Sequence, residues 1–298
     1  MDGVFHAFFQ YSPFNAEGGV KMWGHYTSTN LIDWEYKGVS LYPDQPFDCH
    51  GVYSGSAFLE DGTMYLYYTG NVKLEDGDFD YINTGREANT VLVTTKDGIH
   101  FGSKKELLRN SDYPSDLTCH VRDPKVWKKD DTYYMIQGAR TKNDVGQALI
   151  FESSDKINWH FRSRVESEKP FGYMWECPDL FPIEYKGKNV WVLVVSMTKA
   201  SEDDHCKMQY FLGDFDGEKF LCTYPSDEPR WLDEGFDNYA AVTFQNAKDV
   251  LLMGWGMNWQ YAAQTPTEGY CGQATLARKL SLTEVDGALT VSYTHLTL

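Results

Sequence analysis

The chain is expected to be all-β, a five-bladed propeller with an incomplete first blade. A turn signal followed by a strand rich in Tyr, Leu and Val occurs five times, and four of these units run on to a second strand closed by Asp and an aromatic. The closing aromatics Trp34, Phe101, Trp159 and Phe220 recur at intervals of about sixty residues, the length of a blade of four short antiparallel strands. Helical periodicity is almost absent. A β-sandwich also spaces its turns regularly and is the competing architecture.

The units follow in order. Asp2-Gly3-Val4-Phe5-His6 opens the first, which ends at Asp33-Trp34. Asp61-Gly62-Thr63-Met64-Tyr65 opens the second, which closes with Asp97 and Phe101. The third runs from Asp131-Thr132-Tyr133 to Asp155 and Trp159, the fourth from Gly187-Lys188-Asn189 to Asp216 and Phe220, and a fifth begins at Asp249-Val250-Leu251. In a propeller the inner strands converge on a central channel, so motifs distant in sequence can meet there. The propeller is expected to span residues 1–285, with 286–298 as the start of a linker or a foreign tail.

Composition narrows the function. A net charge of −16 repels phosphodiester backbones and no Lys/Arg-rich run offsets it, so nucleic acid is not an expected partner. The longest apolar run, Val190 to Val195, is far too short to cross a membrane. Cys49, Cys119, Cys177, Cys206, Cys222 and Cys271 are scattered without pairing or metal-like spacing, which reads as reduced thiols in a cytoplasmic protein. The histidines lack zinc spacing and the acidic clusters Glu202-Asp203-Asp204 and Asp233-Glu234 lack calcium-loop spacing, so neither metal nor cofactor is expected.

Two acidic motifs carry the chemistry. In Arg122-Asp123-Pro124 the proline is expected to hold Asp123 extended at a strand edge, beside an arginine able to orient a carboxylate. A structural ion pair in a turn is the alternative. In Trp175-Glu176-Cys177-Pro178-Asp179 the apolar neighbours are expected to desolvate Glu176 and raise its pKa, as a general acid requires. A solvated glutamate beside a surface tryptophan is the plainer reading.

With these motifs the chain resembles glycoside hydrolase family 32, the β-fructofuranosidases, and within it the bacterial sucrose-6-phosphate hydrolases. The likeness includes Phe8-Phe9-Gln10-Tyr11, Met22-Trp23-Gly24-His25, Tyr53-Ser54-Gly55-Ser56, Tyr68-Thr69-Gly70-Asn71, Gly235-Phe236-Asp237-Asn238-Tyr239 and Gly254-Trp255. It implies a propeller followed by a β-sandwich, and retaining hydrolysis of terminal β-fructofuranosides such as sucrose or sucrose 6-phosphate. By that resemblance Glu176 is the acid/base and Asp123 grips the fructose hydroxyls. Gln10, Trp23, Tyr53, Ser54, Arg122, Tyr239 and Trp255 are substrate contacts. The partner implied is a small carbohydrate.

The chain also departs from the family. The nucleophile's Asn-Asp-Pro-Asn-Gly motif occurs nowhere in it, and Asp2 aligns with the turn after that strand, so Asp2 is no substitute. The expectation is a fragment lacking the nucleophile strand and the C-terminal sandwich, and therefore impaired. Ser292 to Leu298 does not continue the pattern and reads as foreign or frame-shifted. A catalytically silent sugar-binding propeller, a fructan hydrolase and an inverting arabinosidase or xylosidase are the other functional readings.

Overall fold

The computed structural model describes residues 1–16, 18–165, 172–198, 206–223 and 230–295. Its nineteen strands form five antiparallel sheets, one of three strands and four of four. The first holds β1 (Phe5–Tyr11), β2 (Met22–Ser28) and β3 (Glu35–Leu41). The second holds β4 (Val52–Glu60), β5 (Thr63–Lys73), β6 (Arg86–Thr95) and β7 (Lys105–Leu108). The third holds β8 (Leu117–Lys129), β9 (Thr132–Thr141), β10 (Gly146–Ser153) and β11 (His160–Val165). The fourth holds β12 (Trp175–Tyr185), β13 (Lys188–Met197), β14 (Lys207–Phe215) and β15 (Phe220–Cys222). The fifth holds β16 (Tyr239–Thr243), β17 (Leu251–Trp255), β18 (Arg278–Val285) and β19 (Ala288–His295). This is the expected five-bladed propeller.

Two kinds of turn write the repeat. Two-residue hairpins join the first and second strands of blades two and four, at Asp61-Gly62 (φ 50° and 67°) and Lys186-Gly187 (49° and 79°). Both central residues lie in the left-handed region, as a turn matching strand twist demands. Asp2-Gly3 (50° and 77°) has the same conformation just before β1. That places β1 as a second strand, so the first sheet has counterparts of the second, third and fourth strands only.

The other turn explains the closing Asp-aromatic signature. Between third and fourth strands, one side-chain oxygen accepts two backbone N–H groups two and three residues on. Asn30 Oδ1 takes Ile32 and Asp33, Asp97 Oδ1 takes Ile99 and His100, Asp155 Oδ1 takes Ile157 and Asn158, and Asp216 Oδ1 takes Glu218 and Lys219. The next residue is left-handed each time: Leu31 (65°), Gly98 (72°), Lys156 (69°) and Gly217 (98°).

Apolar cores lie between neighbouring blades. Val91, Leu66 and Trp23 belong to the core joining blades one and two, Tyr67, Met135 and Phe151 to the next, Trp175, Leu193 and Phe215 to the next, and Val194, Leu212 and Leu280 to that joining blades four and five. A fifth cluster closes the ring. Leu31, Phe5 and Trp34 of the first blade pack on Leu251, Ala277 and Phe244 of the last, with Phe244 edge-on to Phe5 at 5.7 Å.

The boundary expected at residue 285 falls at a hairpin inside the fifth sheet. Asp286 and Gly287 turn (φ 49° and 79°), and Ala288 to His295 pairs along β18 as the outermost strand. Backbone pairing therefore extends the propeller through the segment expected to be a linker, and residues 296–298 lie outside the described ones.

Candidate active site

The inner strands of the four complete blades break register in the same way. Two residues on the inner strand oppose one on its neighbour: Tyr53-Ser54 in β4, Asp123-Pro124 in β8, Cys177-Pro178 in β12 and Ala240-Ala241 in β16. Such bulges re-aim side chains and end regular pairing. Asp123 (φ 62°), Cys177 (45°) and Ala240 (54°) are all left-handed there, strain of the kind that collects at functional sites. Asp123 is thus not extended, as the following proline led us to expect. The bulge overrides that local preference, and Pro124 and Pro178 occupy positions from which no ladder N–H is required.

The bulges bring both acidic motifs together. Arg122 donates to Glu176 Oε1 from Nη2 at 2.6 Å and from Nε at 3.2 Å, while the Tyr239 hydroxyl donates to Oε2 at 2.6 Å. Glu176 is therefore held by a cation and a phenol, not enclosed by the apolar residues flanking it in sequence. The cause is strand alternation: Trp175 points the other way and is fully buried against Phe211 in the core between blades three and four.

Asp123 lies beneath this pair. Its Oδ2 accepts the Cys177 backbone N–H at 2.9 Å, and its own N–H donates to Thr69 Oγ1 at 3.0 Å. Burial pushes its carboxyl up to about 6; the Glu176 charge adds to that, and Arg122 and the Cys177 N–H oppose it. Burial also raises the Tyr239 phenol, with Glu176 adding to the effect. His120 accepts from Arg122 Nη1 at 2.6 Å and is pushed down to about 3, first by burial and then by Arg122, so the imidazole is neutral. The cluster thus offers a carboxyl group hydrogen-bonded to a proton donor, a second acid whose pKa burial raises, and a fixed cation.

The remaining expected contacts fall around the same bulges. Gln10 Nε2 donates to Ser54 Oγ at 2.7 Å, tying blade one to blade two. Trp23, only 4% exposed, belongs to the core between those blades, and its indole N–H holds the Tyr53 carbonyl at 2.9 Å. Thr69, which holds Asp123, is the single residue opposite the Tyr53-Ser54 bulge. Trp255 pairs with Tyr239 across β16 and β17 and meets Trp259 edge-on.

Sequence reasoning missed the supports. Asp179, fully buried, accepts from the Thr243 N–H at 2.6 Å and its hydroxyl at 2.7 Å, with Lys125 Nζ at 3.2 Å, pinning blades three, four and five together below the acids. Thr69 lies in the Tyr68-Thr69-Gly70-Asn71 motif without a role assigned to it, and Thr243 carries no signal in sequence beyond lying in a strand. Among the described residues, no three His, Cys, Asp or Glu side chains group as a metal cage requires.

Comparison with known proteins identifies the family. The family model for the glycosyl hydrolases family 32 N-terminal domain matches residues 1–292. The sucrose-6-phosphate hydrolase of Bacillus subtilis (strain 168) is 39% identical over 265 residues, covering 85% of this chain and 52% of the relative. Among solved structures, the sucrose-6-phosphate hydrolase of Lactobacillus gasseri superposes with a TM-score of 0.78 at 28% identity, over 97% of this chain and 58% of that one. A Bombyx mori GH32 β-fructofuranosidase does so with a TM-score of 0.77 at 31% identity, over 97% and 60%. The chain spans little more than half the length of these relatives. Propeller, acidic motifs and whole-chain similarity agree, and the chain belongs to glycoside hydrolase family 32.

Proposed function

We propose that this propeller is the sugar-binding and acid/base part of a retaining β-fructofuranosidase acting on sucrose or sucrose 6-phosphate. The observation that carries the reading is the contact of Glu176 with both Arg122 and Tyr239 above a buried Asp123. Glu176 protonates the departing glycosidic oxygen and then activates water, while Asp123 holds fructose hydroxyls and meets the positive charge that develops on the ring. Gln10, Tyr53, Ser54 and Trp255 frame the fructosyl unit, and the buried Trp23, expected as a contact, supports Tyr53 from the core instead. The relatives' names support the substrate, and a Bombyx mori β-fructofuranosidase has been solved in complex with sucrose.

Retention requires a nucleophile, and the chain contains no Asn-Asp-Pro-Asn-Gly segment. By itself it is proposed to be silent, since loss of a covalent nucleophile costs on the order of a millionfold in turnover. The test is to join an upstream strand bearing that segment and assay sucrose and sucrose 6-phosphate. Cleavage should appear, and Glu176→Ala should lower kcat by about 10²–10⁴-fold. Turnover that survives the substitution unchanged would refute the acid assignment. The single-displacement alternative is separated by the anomer first released.

A further inference from the structure

We propose that Arg86, at the start of β6, is the specificity-determining residue of this site and receives a phosphate monoester carried by the leaving sugar. The inference rests on the reading of Glu176 as the acid that serves that sugar.

Two strands lead from the carboxylates to Arg86. On β5, Thr69 holds the Asp123 N–H, and two residues on, Asn71 Oδ1 accepts from Arg86 Nη1 at 3.0 Å. Positions two apart face the same way and lie about 7 Å apart along a strand. On β8, Arg122 holds Glu176 and, two residues back, His120 accepts from Arg122. Beside His120, the Cys119 N–H donates to the Ile82 carbonyl at 2.7 Å, and the neighbouring Tyr81 carbonyl accepts from Arg86 Nε at 3.2 Å. Arg86 is therefore held beside both strands that carry the Asp123 and Glu176 contacts, through Asn71 on β5 and through the Tyr81–Ile82 segment against β8.

Its charge is uncompensated. Arg109, Arg122, Arg140, Arg162, Arg164 and Arg278 each contact a carboxylate. Among the described residues, Arg86 contacts none and its Nη2 makes no hydrogen bond. Asp80, next to the Tyr81 whose carbonyl holds Arg86, is committed to the N–H groups of Ile82, Asn83 and Thr84. In a chain of net charge −16, a half-buried guanidinium left without an acid beside a sugar site is an anion receptor. Its Nε and Nη1 are pinned by neutral oxygens, which fix the guanidinium without neutralising it.

The test is calorimetric titration of this chain, which needs no turnover, with sucrose and with sucrose 6-phosphate. The phosphorylated sugar should bind about tenfold tighter or better, as a charge-assisted hydrogen bond supplies, and the preference should shrink as salt rises. Arg86→Gln should remove the preference, weakening sucrose 6-phosphate about tenfold more than sucrose, while Arg86→Lys should keep part of it. Equal binding of both sugars, or a preference surviving in Arg86→Gln, overturns the inference alone. Binding of neither sugar overturns the functional reading with it. If Arg86→Gln does not fold, a preference insensitive to salt in the unsubstituted chain is decisive against it.

Discussion

Asp123 is where local rules and tertiary demands conflict most. It precedes a proline, yet adopts φ 62°, and it sits 6% exposed next to a second carboxylate. An acid whose folded pKa is raised from the ordinary value to about 6 contributes stability that is fully present below about pH 4 and is lost as pH rises through 6. Asp123→Asn removes that dependence. Denaturant unfolding at pH 4 and pH 7 should therefore show the variant gaining about 1–3 kcal/mol on the unsubstituted chain between the two. An identical difference at both pH values would mean the carboxyl is not strained by burial. Glu176 teaches a related lesson, because the residues beside it in sequence point away and its surroundings come from strands more than fifty positions distant.

At the scale of elements, the turn between third and fourth strands uses glycine in blades two and four and larger residues in blades one and three. Leu31 and Lys156 bear a left-handed backbone that costs about 1 kcal/mol in a residue with a Cβ. Each side chain compensates: Leu31 is 4% exposed in the ring-closing cluster, and Lys156 Nζ reaches Glu60 at 2.6 Å. Leu31→Gly relieves the backbone yet should destabilise the fold by about 1–3 kcal/mol in urea unfolding, because the lost burial outweighs the strain. A stabilised variant would show that the ring-closing contact contributes little. The bulges are the second shared device, and their repetition across four blades explains why one level of the molecule carries the site.

At the scale of the molecule, the contacts between blade five and blade one are, among the described residues, made by side chains. Phe244 lies 5.7 Å from Phe5 and 6.5 Å from Trp34, ring centre to ring centre. Phe244→Ala should cost about 2–3 kcal/mol and expose this seam to protease before the cores between the other blades. Unchanged stability would place the ring's closure elsewhere. On the opposite side of blade one, Lys104 spans to Asp44 and the fully buried Asp48, both at 2.7 Å. Breaking a buried pair leaves an uncompensated charge, so this clasp fixes how blade one sits against blade two more than it adds net stability.

By itself the sequence determined the blade count, because turn chemistry is local: Asp-Gly hairpins and Asp-aromatic turns act through residues two or three positions apart. It also marked Asp123, Glu176 and Arg122, since proline-flanked acids among strand residues are rare enough to stand out. Tertiary structure alone decided that β19 belongs to the fifth sheet, that a bulge turns Asp123 out of the extended conformation, and that Arg86 is held by Asn71 and Tyr81 with no acid of its own among the described residues. Those outcomes depend on which strands become neighbours around a closed ring, and contacts set by ring closure leave no periodicity in the chain that makes them.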